Sequence, residues 1–177
     1  MDEDIKGLNV IFTGEGKGKT SAAMGVVLRA VGHGFKCRVI QFIKGSIDTG
    51  ELHTAEKLAP QLEIVRAGKG FTWSAKVSPE EHKAAAQHGI EEAKKSVADF
   101  SLNVVVLDEI LYALSKNLIG LEQVKELMET KHGRLHLILT GRGAPDELID
   151  MADMVTTMRE TKHPYKKGIP AQKGLDY

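Results

Sequence analysis

The sequence predicts an α/β fold with a mostly parallel sheet and helices on both faces. Short apolar runs rich in β-branched residues alternate with longer helical patterns, which favours strand–helix–strand units. One of these runs, Asn103–Leu107, is apolar on both faces, as in a strand buried inside a parallel sheet. A glycine-rich turn, Gly14–Thr20, joins the first apolar run to the first helical pattern.

The individual elements follow from composition and from start and stop signals. Strands are predicted at Leu8–Thr13, Arg38–Ile43, Leu62–Arg66, Asn103–Leu107, Leu135–Thr140 and Met154–Met158. Helices are predicted at Ser21–Val31, from Ser78 to about Ala98, and at Glu109–Ser115, Leu121–Thr130 and Asp146–Met151. Ser78 begins a capping box that Glu81 completes, with Pro79 at the first helical position. Lys162–Tyr177 has no clear periodicity and is predicted to be a tail that folds over a site.

Length and composition are those expected of one domain over residues 1–177. Hydrophobic residues make up 42% of the chain and aromatic residues 5%, so we expect an aliphatic core. The formal net charge is zero, which argues against a nucleic acid as the main partner, because such proteins carry a basic excess.

Several features indicate a cytoplasmic protein that does not enter a membrane. Cys37 is the single cysteine, so no internal disulfide can form, and this suits a reducing compartment. No apolar run approaches the ~20 residues that a transmembrane helix needs. The acidic N-terminus does not resemble a signal peptide.

The strongest local signal is the glycine-rich turn, which ends in the Gly-Lys-Thr of a phosphate-binding loop. The loop starts with Thr13 where the common pattern has glycine, so we expect Gly14 and Gly16 to make the turn. Lys19 would reach the terminal phosphates, and the hydroxyl of Thr20 would bind Mg²⁺. The predicted nucleotide-binding residues are Gly14, Glu15, Gly16, Lys17, Gly18, Lys19, Thr20 and Ser21. The alternative is a flexible turn without a ligand.

An acidic pair, Asp108 and Glu109, follows the buried run Asn103–Leu107. The run would carry both carboxylates to the C-terminal edge of the sheet, where α/β proteins bind ligands. One carboxylate is expected to hold Mg²⁺ directly or through water, because this cation prefers oxygen ligands. The alternative is a solvated helix start. Together with the phosphate loop, the acidic pair predicts a fold of the P-loop NTPase, RecA-like type.

Further motifs lie in order along nearly the whole chain. They are LRAVGHG at Leu28–Gly34, VIQFIKG at Val39–Gly45, GFTW at Gly70–Trp73, VVLDEI at Val105–Ile110, LTGRG at Leu139–Gly143 and KHPYKKGIPAQKGLDY at Lys162–Tyr177. With the phosphate loop, they resemble the P-loop class of ATP:corrinoid adenosyltransferases. GFTW and the tail are the most specific of these motifs.

The resemblance implies that Co(I) of a corrinoid attacks C5′ of ATP and releases inorganic triphosphate, in the biosynthesis or salvage of adenosylcobalamin. Because Co(I) is itself the nucleophile, the reaction requires no activated side chain. The protein must position the substrates and stabilise a departing polyanion, and Lys17, Lys19 and Mg²⁺ would do so. The family also implies a homodimer and an electron donor such as a flavodoxin or another flavoprotein.

The resemblance assigns a catalytic role to Phe71 and Trp73, in addition to Lys19. They match residues that lie against the lower face of the corrin, exclude the axial ligand and leave a cobalt that is easier to reduce. From the residues alone, an aromatic pair in the core or at a rim is the alternative.

Three basic residues, Arg29, Lys44 and Arg142, are candidates for contact with the nucleotide or the corrinoid. Solvated surface is the alternative for each. Glu109 matches the family's carboxylate near Mg²⁺, so it is preferred over Asp108 as the metal ligand. Because only a short segment precedes the phosphate loop, we expect the tail or a second subunit to close the pocket, unless the pocket stays more open.

Two other functions are compatible with the phosphate loop. In an ATPase or small-molecule kinase, Glu109 would orient water or an acceptor hydroxyl next to a Mg²⁺-binding Asp108, and ADP would be a product. A non-catalytic carrier of corrinoid or nucleotide would bind its ligand tightly without turnover.

Overall fold

The structure is a computed structural model that describes residues 5–45, 48–70 and 77–177. In these ranges, six strands form one parallel sheet. The strands are β1 (Asn9–Thr13), β2 (Cys37–Gln41), β3 (Leu62–Arg66), β4 (Val104–Asp108), β5 (His136–Thr140) and β6 (Met154–Thr157). Their order across the sheet is β3-β2-β4-β5-β1-β6.

Helices connect the strands. They are α1 (Lys19–Gly32), α2 (Gly50–Leu58), α3 (Pro79–Ala98), α4 (Ile110–Ser115), α5 (Leu121–Thr130) and α6 (Asp146–Met151). A short 3₁₀ helix follows at Pro164–Lys167. No helix among the described residues is long and apolar enough to cross a bilayer.

Alternate residues of the central strands pack into two separate cores, one on each face of the sheet. Val105 and Leu107 of β4 belong to the core that is covered mainly by α3, α4 and α5. Val104 and Val106 belong to the core that is covered mainly by α1. This explains why β4 is buried along its whole length and why its sequence shows no polar alternation.

Polar side chains are buried where the central strands end. Thr13, Gln41, Asp108 and Thr140 are the last residues of β1, β2, β4 and β5, and each is at most 6% exposed. Gln41 lies in register with Asp108, and Phe12 lies in register with Thr140. Since burying a polar group is costly without a partner, this edge is the expected place for a ligand.

The structure confirms the parallel sheet and the six predicted strands, whose ends differ from the predicted ones by at most two residues. The capping box of α3 is also confirmed, because Ser78 Oγ accepts from the Glu81 amide at 3.2 Å and Glu81 accepts from the Ser78 amide at 2.9 Å. Helix α1 begins at Lys19, two residues before the predicted start.

Helix α2 was not predicted from the sequence. Of its nine residues, Ala55 is the buried one, so the segment lacks the apolar stripe by which an amphipathic helix is recognised. Glu109 was predicted to open a helix, but it lies just before α4 in a left-handed conformation with φ 61°.

Candidate active site

A cavity of about 670 Å³ opens at the carboxyl edge of the sheet, above β1 and β4. The phosphate loop, the start of α1, the start of α2 and the end of the chain surround it. Its lining consists of Glu15, Gly16, Lys17, Gly18, Lys19, Thr20, Ser21, Met24, Lys44, Gly50, Glu51, Glu109, Arg142, His163, Gly174, Leu175, Asp176 and Tyr177.

The phosphate loop depends on glycine at three positions for different reasons. Gly14 has φ 96° and Gly18 has φ 108°, a region that residues with a side chain rarely adopt. Gly16 is not in that region, but a Cβ there would lie 2.8 Å from the carbonyl carbon of Arg159. The expectation that Gly14 and Gly16 make the turn is therefore right for Gly14, whereas Gly16 permits close packing against the chain after β6.

Thr13 replaces the glycine that usually opens this loop, and its side chain has a structural contact. Thr13 Oγ1 accepts a hydrogen bond of 3.3 Å from the amide of Ala144, in the loop after β5. The Thr13 carbonyl accepts from the Met158 amide at 2.8 Å. These bonds attach the start of the phosphate loop to both neighbours of β1.

The ammonium group of Lys19 holds the loop in its curved shape. Its Nζ donates to the carbonyls of Gly14 at 2.8 Å and Gly16 at 2.7 Å. Burial lowers the pKa of Lys19, and the nearby carboxylate of Glu109 partly offsets this effect. The loop carbonyls thus keep a buried cation next to the space where a phosphate would lie.

The N-terminus of α1 provides free amides to the same space. Gly18 precedes the helix and offers no side-chain cap, and the first turn contains no acidic residue. The first amides of a helix lack intrahelical partners, and the helix dipole favours an anion there. The loop and the helix together form a cradle suited to a polyphosphate.

Thr20, Asp108 and Thr140 form a hydrogen-bonded group at the bottom of the cavity. Asp108 Oδ1 accepts from Thr20 Oγ1 at 2.7 Å and from Thr140 Oγ1 at 2.9 Å. Because the Thr20 hydroxyl donates its proton to Asp108, its lone pairs are free for a cation. Asp108 Oδ2 has no hydrogen-bond partner among the described residues.

This donor set fits Mg²⁺ that is bound together with a nucleotide. Among the described residues, no group of three or more His, Cys, Asp or Glu side chains could hold a metal alone. Mg²⁺ usually takes one or two protein oxygens and fills its remaining positions with phosphate and water. Thr20 and Asp108 meet that requirement next to the phosphate cradle.

Glu109 lies on the cavity wall in a strained conformation. Its left-handed backbone is held by a 2.9 Å hydrogen bond from its amide to Thr140 Oγ1. Burial raises the pKa of the Glu109 carboxyl, and the charge of Asp108 raises it further. Strain of this kind persists where the surroundings impose it, and it concentrates at functional sites.

Lys44 is part of the site and not solvated surface. Its Nζ lies 2.8 Å from Glu51 Oε1 and 3.7 Å from Asp108 Oδ2. Burial lowers the pKa of Lys44, but the charges of Asp108 and Glu51 outweigh that effect and the pKa is raised. The ion pair with Glu51 attaches the start of α2 to the cavity, so the unpredicted helix has a role in building it.

The structure places the two candidate arginines differently. Arg142 lines the cavity, and its Nη1 lies 2.8 Å from Glu15 Oε2 of the phosphate loop. Arg29 lies in the last turn of α1, at the end remote from the phosphate loop, and is exposed. It does not line the cavity.

The C-terminal tail folds over the cavity, as predicted. Asp176 forms an ion pair with Lys17 of the phosphate loop. The tail is held in shape by the Gln172 amide, which donates to Asp176 Oδ2 at 2.7 Å, and by the Gly174 amide, which donates to the Tyr177 carbonyl at 2.8 Å. Asp176 was not predicted as a site residue, because no local pattern links the end of the chain to the phosphate loop.

Phe71 and Trp73 lie outside the described residues, in the segment 71–76. The chain enters this segment beside the loop that carries Lys44. The Gly70 amide donates to the Ile43 carbonyl at 2.8 Å, and a Cβ on Gly45 would lie 2.8 Å from the Gly70 amide nitrogen. Gly70, the last described residue before this segment, therefore lies close to the loop that carries Lys44.

We expect Glu109→Gln to stabilise the ligand-free protein in a pH-dependent way. Because the pKa of Glu109 is raised in the folded protein, protonation of its carboxyl favours folding. This contribution is fully present below about pH 4.5, the ordinary pKa of a glutamate, and it is lost as pH rises through the folded-state pKa. The variant should therefore melt about 2–4 °C higher than the parent at pH 8, a shift that corresponds to about 1 kcal/mol. Melting curves from pH 4.5 to 8 would check this.

The matched control is Glu129→Gln, which removes an exposed carboxylate on α5. It should show no such pH-dependent gain. If Glu109→Gln and Glu129→Gln shift the melting temperature equally at every pH, then Glu109 is not destabilised by its surroundings.

Asp176→Asn should strengthen binding of inorganic triphosphate to the phosphate loop. In the parent, an incoming anion must displace the Asp176 carboxylate from Lys17. A partly exposed ion pair contributes up to about 1 kcal/mol, so we expect about a two- to fivefold lower dissociation constant. Calorimetric titration would measure it, with Asp150→Asn on α6 as the charge-matched control. Unchanged or weaker binding by Asp176→Asn would contradict competition by the tail.

Comparison with known proteins gives a consistent result over the whole described chain. The family described as ATP:corrinoid adenosyltransferase BtuR/CobO/CobP matches residues 5–177. A corrinoid adenosyltransferase of Escherichia coli K12 is 38% identical over 175 residues, which cover 99% of this chain and 88% of that protein. A corrinoid adenosyltransferase of Sinorhizobium sp. is 41% identical over 176 residues, covering 98% and 82%.

Solved structures with low sequence identity share the fold. The flagellar accessory protein FlaH of Methanocaldococcus jannaschii aligns with a TM-score of 0.56 at 11% identity, covering 86% of this chain and 71% of that one. The RadB recombinase aligns with a TM-score of 0.55 at 14% identity, covering 90% and 78%. These likenesses confirm the predicted P-loop NTPase, RecA-like fold. On the family match and the identity over nearly its full length, the chain belongs to the ATP:corrinoid adenosyltransferase family.

Proposed function

We propose that this chain transfers the 5′-deoxyadenosyl group of ATP to Co(I) of a corrinoid, as part of adenosylcobalamin biosynthesis or salvage. The cobalt–carbon bond forms with an electron pair of Co(I). At the same time the C5′–O bond breaks, and inorganic triphosphate leaves with the electron pair of the C5′–O bond. The observation that carries the proposal is the phosphate cradle of Gly14–Thr20 within a chain that matches this family over residues 5–177.

The cradle is suited to a triphosphate leaving group. Lys17, Lys19, Lys44 and Arg142 surround the cavity, beside the amides at the start of α1. Groups that are fixed in place before the reaction stabilise developing charge most effectively. Lys17, Lys44 and Arg142 are each paired with a carboxylate, so the charge for a polyanion is present but balanced in the ligand-free protein.

Mg²⁺ is the cation that these residues would accept together with ATP. Thr20 would bind it directly and Asp108 would bind it directly or through water, with Glu109 as the next carboxylate on the wall. When bound, Mg²⁺ neutralises part of the charge on the triphosphate as it departs. The hydrogen bond between Thr20 and Asp108 supports Asp108 as the carboxylate closer to the cation, whereas the family resemblance favours Glu109 as the metal ligand.

The corrinoid would approach from the side of Lys44 and the segment 71–76. Gly70, the last described residue before this segment, is hydrogen-bonded to Ile43, which is next to Lys44 of the cavity lining. Phe71 and Trp73 would lie against the corrin and keep an axial ligand off the cobalt. Removing that donor favours the low-valent state from which the reaction starts.

Reduction of the cobalt requires an external electron donor, and the family resemblance favours a flavodoxin or another flavoprotein. The resemblance likewise favours a homodimer. A cytoplasmic location is supported by the single cysteine, Cys37, which is free and buried and so suits a reducing compartment.

Product identity tests the proposal directly. Under anaerobic conditions, chemically reduced Co(I) corrinoid, ATP and Mg²⁺ should yield a light-sensitive adenosylcorrinoid and inorganic triphosphate in equal amounts. Lys19→Ala should lose at least about a hundredfold in rate, because a preorganised charge at the leaving group is removed. Chromatography of the phosphate species and absorbance of the corrinoid would measure both products.

The matched control for this loss is Lys95→Ala. Lys95 is an exposed lysine on α3 that pairs with Glu92 within the same helix and does not line the cavity. This variant should retain the parent rate.

Two outcomes would favour the rival functions. Formation of ADP and phosphate would indicate an ATPase or kinase. Tight binding of ATP and corrinoid with no product, in the presence of every reactant, would indicate a carrier.

A further inference from the structure

The side chain of Gln41 is a buried polar group that the proposed reaction leaves unexplained. Gln41 is the last residue of β2 and is 1% exposed. Neither its amide nitrogen nor its amide oxygen has a hydrogen-bond partner within residues 5–45, 48–70 and 77–177. Buried polar side chains are nearly always satisfied, so an exception requires an explanation such as a water or an ion.

The position of Gln41 identifies the site it faces. Gln41 lies in register with Asp108 on the neighbouring strand β4. Val39 and Val106, two residues earlier on the same strands, both pack into the core below α1. Because side chains alternate along a strand, Gln41 and Asp108 point to that same face, toward the start of α1 and Thr20.

A second unsatisfied atom lies on this face. Asp108 Oδ1 is occupied by the hydroxyls of Thr20 and Thr140, but Asp108 Oδ2 has no hydrogen bond from any described residue. Its nearest cation is Lys44 Nζ, at 3.7 Å. An amide that can donate and accept thus lies beside a carboxylate oxygen that can accept, with Thr20 on the other side of the carboxylate.

We propose that Gln41 is a positioning residue for the water shell of a nucleotide-bound divalent cation. Its amide nitrogen donates to a water that bridges to Asp108 Oδ2, and its amide oxygen accepts from a water held by the cation. Cation-bound waters are strong donors, and Mg²⁺ retains several of them in proteins. This inference rests on the cation site of Thr20 and Asp108 in the proposed function.

Replacement of Gln41 by an apolar residue of similar size separates this role from packing. In Gln41→Leu, the ligand-free protein should melt at the same temperature as the parent or higher, because an unsatisfied buried amide is removed. ATP binding in the presence of Mg²⁺ should weaken about tenfold, as found for groups that orient metal ligands. ATP binding in the presence of EDTA should be unchanged.

Gln87→Leu is the matched control, since Gln87 is a glutamine whose hydrogen bonds are satisfied. It donates to the Leu118 carbonyl at 3.0 Å and exchanges hydrogen bonds with Gln123, away from the cavity. We expect Gln87→Leu to lower the melting temperature and to leave ATP binding unchanged with and without Mg²⁺. Gln41→Met, with a more flexible apolar side chain, repeats the test if Gln41→Leu does not fold.

The possible results are distinguishable. Equal loss of ATP affinity with and without Mg²⁺, or a lower melting temperature with normal Mg²⁺ dependence, would show that Gln41 has a packing role and would overturn the inference. If the parent itself binds ATP equally well with Mg²⁺ and with EDTA, the cation site of the proposed function is wrong as well. Isothermal titration calorimetry and thermal melting supply both readouts.

Discussion

The site depends on one interaction, the capture of the Lys19 ammonium by the carbonyls of Gly14 and Gly16. These two hydrogen bonds curve the phosphate loop, and the curve directs the amides at the start of α1 into the cavity. The glycines permit the curve, and the bonds of Thr13 attach it to the strands beside β1. A polyanion would bind here because the backbone is already arranged for it, so little reorganisation would be required.

The second constraint is the group of buried polar residues where β1, β2, β4 and β5 end. Asp108 links the Thr20 hydroxyl to Thr140, and Thr140 in turn fixes the strained backbone of Glu109. The apolar faces of β4 hold these groups in place from below. The cations above them are balanced by carboxylates from the loop, from α2 and from the tail. In the proposed function, ligand binding would therefore be an exchange of partners within a preformed charge arrangement.

Local sequence patterns predicted the strands, α3 with its capping box, and the phosphate loop, because these elements follow from neighbouring residues. Helix α2 was missed because its apolar face is small. The contacts of Glu51 with Lys44 and of Asp176 with Lys17 join distant parts of the chain, and no spacing rule reveals them. Gln41 shows the same limit: its significance comes from its register with Asp108 and its burial, which only the folded sheet provides.

In the proposed reaction, carbon and not phosphorus is the atom attacked while the loop holds the triphosphate. ATP that carries a heavy oxygen isotope in the bridge between C5′ and the α-phosphorus tests this claim directly. After anaerobic reaction with a Co(I) corrinoid, mass spectrometry should find the isotope in the released triphosphate, because the C5′–O bond breaks. Heavy oxygen retained on the nucleoside would place the cleavage at phosphorus and contradict the mechanism.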